Sequence, residues 1–72
     1  MLQHGAGAVQ VCIVELEPDF REVLILRDVE DLSYEEVCEV TGLPEGTVKS
    51  RLHRARAMLK QAVQRKMGER AR

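Results

Sequence analysis

Between Ser33 and Leu52 the chain reads SYEEVCEVTGLPEGTVKSRL, and this stretch holds two helix starts separated by one helix stop. Ser33 followed three residues later by Glu36 is a capping box: the serine hydroxyl serves the Glu36 amide, and the glutamate carboxylate reaches back to the Ser33 amide. Leu32 and Val37 flank the cap where a hydrophobic staple forms. Gly42 is the residue type favoured for the left-handed turn that ends a helix, which limits the first helix to about two turns. Pro44 follows at once and suits the first turn of a new helix. Two helices joined by so tight a turn form a helix-turn-helix. The chain is expected to be a small all-α domain of three to four helices, with a long C-terminal recognition helix.

The flanking segments fit that frame. Asp19 is expected to cap a helix, with Glu22 three residues on and Pro18 just outside. Phe20, Val23, Leu24, Ile25 and Leu26 then supply a broad apolar stripe, so this helix should be largely buried and end near Val29. In the last helix Val48, Leu52, Ala55, Leu59 and Val63 share one apolar arc at helical spacing. That helix is expected to fray after Lys66, because Gly68 and the charged tail offer little to bury. Met1–Ala8 reads as a loose leader. Val9–Leu16 is rich in branched residues, yet a lone strand has no partner here, so a short helix with Ile13 and Leu16 turned inward is expected. The organisation read from the chain is thus a poorly defined leader or short helix over 1–15, a helix-turn-helix domain over 16–67, and a charged tail over 68–72.

Charge adds a direction to this frame. Up to Val48 there are two bases, Arg21 and Arg27, against eleven acids; from Lys49 onward there are nine bases against Glu69 alone. A formal net charge of −1 therefore hides a dipolar molecule, and the basic end is the face of a helix that a polyanion can approach. Seventy-two residues, 44% of them hydrophobic and 32% charged, make one soluble globular domain with one modest core. Phe20 and Tyr34 are the only aromatic residues, which argues against stacking of single-stranded bases. Ala6–Leu16 is too short for a membrane span, and Cys12 and Cys38 lack ligand spacing, so reduced thiols in a cytoplasmic protein are expected. Cys12 and His4 fall in what reads as the least structured part, and no base, nucleophile and orienting group come together, so neither an enzyme nor a cofactor or metal site is expected.

Lys49, Ser50, His53 and Arg56 project away from the apolar arc, with Arg54 further round. Such a face suits duplex DNA, since a helix fits the major groove and Lys or Arg pairs with guanine acceptors there. The bland alternative is a solvated helix face whose late cations complement the helix dipole. Charge alone does not separate the two; the turn and caps favour DNA. His53 taken singly reads as an ordinary exposed histidine and Cys38 as a small buried apolar residue, while Tyr34 either packs or hydrogen-bonds a phosphate.

The joined signatures LRDVEDLSYEEV and GLPEGTVKSRLHRAR, within Leu16–Lys66, resemble the C-terminal fourth region of bacterial sigma factors of the extracytoplasmic-function group. The resemblance implies a four-helix domain that reads the −35 promoter element in the major groove while docking on the beta flap of RNA polymerase. Lys49, Ser50, His53 and Arg54 match the family's base-edge and groove contacts. Arg27, Tyr34 and Glu35 match positions that meet the DNA backbone or frame the start of the helix-turn-helix, and Arg51 and Arg56 match basic positions assigned to phosphates. Cys38 stands where the family generally has a small residue such as alanine. The second-region half of such a factor is not in this sequence, which reads as an excised domain, a truncated product or a stand-alone relic.

Two other readings compete. The domain could serve chiefly as a protein-interaction module, bound by an anti-sigma factor or the polymerase flap, or it could be the DNA-binding domain of a response regulator, whose helix-turn-helix also carries a GTVK start. The SRLHRAR continuation fits sigma factors better.

Overall fold

Four α-helices follow one another: α1 (His4–Glu15), α2 (Pro18–Leu24), α3 (Tyr34–Thr41) and α4 (Glu45–Arg70). The structure, a computed structural model, describes residues 4–70, and among these there is no strand. The all-α expectation is met. Among the described residues no helix is long and apolar enough to cross a membrane.

α1 begins at His4, well before the expected Val9. A helix bonds its own backbone, whereas the branched residues Val9, Val11, Ile13 and Val14 would need a partner strand, so packing overrides their β preference. Cys12, expected in the least structured part, is instead fully buried in α1, and Leu16 is buried just beyond it. The Arg21 guanidinium closes this end by donating to the Val14 carbonyl at 2.9 Å. The first three residues of the expected leader, and residues 71–72 of the expected tail, lie outside the described residues.

α2 starts differently from the expectation. Glu17 occupies the cap without a side-chain bond, and Pro18 is the first helical residue and not an outside neighbour. Proline suits that position because its missing N–H would be unpaired there anyway and its φ is already helical. Asp19 is thereby moved inside the first turn. At the other end the helix continues through Ile25–Val29 as a single π turn, closed by the Glu30 amide on the Ile25 carbonyl at 2.9 Å. It ends at Val29 as expected, and from this turn Arg27 meets Tyr34 of α3 and Asp28 meets Arg56 of α4.

α3 follows the reading closely. The Ser33 hydroxyl accepts from the Glu36 amide at 3.1 Å, and the Glu36 carboxylate accepts from the Ser33 amide at 2.8 Å. Gly42 ends the helix in the left-handed region at φ 76°, where a side chain would be strained. Thr41 completes the stop, donating to the Val37 carbonyl and accepting from the Leu43 amide. α4 begins at Glu45, one residue after Pro44, whose carbonyl accepts from the Val48 amide. It runs to Arg70 and does not fray after Lys66, which lies 3.8 Å from Glu15 of α1.

α1, α2 and α3 all pack on α4. Leu16, Leu24, Leu52 and Ala55 form one buried cluster, and Val23, Val37 and Val48 form a second. Tyr34 packs against both. On α4 burial is complete at Val48, Leu52 and Ala55 and only partial at Leu59 and Val63, so the N-terminal half of α4 is the part held in a fixed orientation.

Candidate nucleic-acid interface

With Val48, Leu52 and Ala55 buried, the rotation of α4 about its axis is set. Lys49, Ser50, His53 and Arg54 are then all exposed, on a face that spans about 140° at about 100° per residue. The structure brings these four together on the first turns of the helix after the Gly-Leu-Pro turn. This is the part of a helix-turn-helix that reaches base edges.

The face has two unlike edges. Toward α3 and the π turn, Lys49 Nζ lies 2.9 Å from the Glu45 carboxylate and 5.2 Å from the centre of the Tyr34 ring. The hydrogen bond and charge of Glu45 hold the Lys49 ammonium above the ordinary lysine range. Arg27 sits over the same ring at 5.0 Å, with Asp31 3.5 Å away. Its Nε is buried without an acceptor among the described residues. Asp31 takes a left-handed φ of 62°, which a short polar side chain tolerates better than most.

Arg56 closes this edge. Its Nε and Nη2 donate to the two oxygens of Asp28 at 2.8 and 2.6 Å, a bidentate fork across 28 residues of sequence. That hydrogen bond holds the Asp28 carboxyl below its usual range, outweighing the opposing effect of burial, and raises the Arg56 guanidinium in turn. The guanidinium assigned to phosphates on resemblance is thus bound within the domain.

The other edge is open. Thr47, Ser50, Arg51 and Arg54 border a cleft of about 430 Å³ with Asp19 and Phe20 of α2. Arg51 is half-buried and its guanidinium approaches Asp19 only to 3.8 Å, while Arg54 makes no ion pair among the described residues. Glu35 is exposed in the first turn of α3, where an acid complements the helix dipole.

Sequence reasoning missed Asp28, Asp19 and Glu45 as partners of the basic helix. Glu45 and Lys49 were visible as an (i, i+4) pair, whereas nothing local marks Asp28 for Arg56. Both cysteines are free, Cys12 buried and Cys38 half-buried against the valine cluster. Among the described residues no group of His, Cys, Asp and Glu is placed to hold a metal ion.

A family model described as "Sigma-70, region 4" matches residues 6–59, which takes in most of α1 as well as the helix-turn-helix. The chain is similar to the ECF RNA polymerase sigma factor SigE of Mycolicibacterium smegmatis, 44% identical over 52 residues that cover 72% of this chain and 20% of that protein. It is similar to the RNA polymerase sigma-H factor of Pseudomonas aeruginosa, 43% identical over 81% of this chain and 30% of that one. With the ECF RNA polymerase sigma factor SigW of Bacillus subtilis it shares 36% identity over 76% of this chain and 29% of the relative. The chain spans less than a third of the length of each of these three relatives.

Proposed function

The chain belongs to the sigma-70 region 4 family, and on that premise we propose that it is a promoter-reading domain of the extracytoplasmic-function type, acting in the cytoplasm by binding and not by catalysis. α4 lies in the major groove of the −35 element. Lys49, Ser50, His53 and Arg54 meet base edges, and Arg27, Tyr34 and Arg51 border the two phosphate backbones. Glu35 frames the start of α3. Arg56 serves as a strut that fixes α4 to the π turn, because its fork is already filled by Asp28. The observation that carries this reading is the exposed, cation-bearing face on the first turns of α4, held at a fixed rotation by Val48, Leu52 and Ala55.

The partners that follow are double-stranded promoter DNA and the RNA polymerase core, reached through the beta flap, with an anti-sigma factor as a competitor for the same domain.

Fluorescence-anisotropy titration against a −35 duplex and a scrambled duplex, each at two salt concentrations, tests the proposal. Tighter binding to the −35 duplex, weakening steeply as salt rises, is expected. Equal binding to both duplexes would overturn the reading role and leave a domain that works through its protein contacts.

A further inference from the structure

Lys49 does not stand free on the helix. Glu45 anchors it at 2.9 Å from one turn back, and the Tyr34 ring, 5.2 Å away, flanks it from α3. The same ring carries Arg27 at 5.0 Å, and Asp31 lies beyond Arg27 at 3.5 Å. Two cations against one ring repel each other, and the outer acids offset that repulsion. The result is an alternation of acid, cation, ring, cation and acid that joins the π turn, the loop before α3, the first turn of α3 and the first turns of α4.

We propose that Tyr34 and Glu45 are positioning residues for Lys49, restricting its ammonium to one place along the groove so that it discriminates between bases. The inference rests on the DNA-binding reading of α4. A lysine ammonium is a compact point charge on a flexible stem, with no directional fork of its own. Unrestrained, it pairs with whichever phosphate is nearest and favours every duplex alike. Held between a ring and a carboxylate it loses that freedom, and the Glu45 charge also repels phosphates that would draw it off the groove floor. The hydrogen bond and charge of Glu45 that hold the ammonium also raise the affinity of Lys49 for its proton. Tyr34 thereby gains a role besides its packing against both core clusters.

The test compares wild type, Glu45→Gln, Tyr34→Phe and Tyr34→Leu. Anisotropy gives the ratio of affinities for the −35 and scrambled duplexes, and NMR of the Lys49 side chain without DNA gives the ring-current shift of its Cε protons. Glu45→Gln is expected to tighten binding to the scrambled duplex and lower the ratio about two- to fivefold. Tyr34→Leu is expected to lower the ratio and abolish the upfield shift, while Tyr34→Phe, which keeps the ring, retains the shift and the ratio even where loss of its hydroxyl weakens binding to both duplexes alike. A merely structural role would weaken both duplexes in proportion and leave the ratio alone. If Tyr34→Leu fails to fold, Glu45→Gln at its exposed position decides. An unchanged ratio in Glu45→Gln, or wild-type Lys49 protons at the shifts of a free lysine, overturns the inference. Wild type binding both duplexes equally would instead contradict the promoter-reading proposal, and the NMR signature would then decide the positioning by itself.

Discussion

The two edges of α4 carry the same kinds of residue and use them differently. Along the edge facing α3 and the π turn, Lys49 and Arg56 are engaged by Glu45, Tyr34 and Asp28 at hydrogen-bond or ring-stacking distance. Along the edge facing α2, Arg51 has only a loose partner at 3.8 Å and Arg54 has none among the described residues. One edge is held by contacts within the domain; the other carries cations with a loose partner or none among the described residues. A count of basic residues treats these cations as equivalent, and the geometry divides them into cations held by the domain's own groups, Lys49 and Arg56, and cations left loosely paired or unpaired, Arg51 and Arg54.

The most disruptive way to break the comparison is to remove what lies beneath both edges. Leu52→Ala should cost about 2–5 kcal/mol, comparable to the whole stability of a domain this small, so urea unfolding should find little native protein and both edges should fail together. Arg54→Ala should divide the edges. It is expected to lose about 1–3 kcal/mol of binding to the preferred duplex, with an unchanged urea midpoint. A shifted midpoint would mean that the open edge is structural as well.

Asp28→Asn probes the held edge. A folded-state pKa below the unfolded value gives stability that is present above the unfolded carboxylate pKa of about 3.9 and is lost as pH falls through the folded value. The variant should therefore be less stable than wild type near neutral pH, by about 1 kcal/mol for a partly exposed bidentate pair, and the gap should close below about pH 4. A gap independent of pH would assign the loss to something other than this carboxylate. The smallest effect belongs to Asp19→Asn: less than about 0.5 kcal/mol in stability, because the pair with Arg51 is long and Asp19 is mostly exposed. Binding to both duplexes should strengthen slightly as one competing carboxylate is neutralised.

The division also marks where sequence reading succeeds. α3 was legible because its determinants are local: a cap three residues from its partner and a glycine at the stop. The exposed face of α4 was legible because helical spacing places Lys49, Ser50, His53 and Arg54 opposite Val48, Leu52 and Ala55. The π turn was not, since no residue type in Ile25–Val29 marks the wider turn that the Glu30 amide closes on the Ile25 carbonyl. That hidden turn places Asp28 against Arg56, so the strut could not be told from a phosphate contact beforehand. α1 was misjudged in extent for a related reason: its branched residues favour a strand locally, and only packing on α4 decides for a helix.

The measurement that bears most directly on the account is the affinity ratio of the −35 and scrambled duplexes for wild type and Arg54→Ala, by fluorescence anisotropy at one fixed salt concentration. A wild-type preference for the −35 duplex that collapses in Arg54→Ala, with the fold intact by circular dichroism, is the predicted result. A wild type that binds both duplexes alike, or a preference that survives Arg54→Ala undiminished, would contradict it.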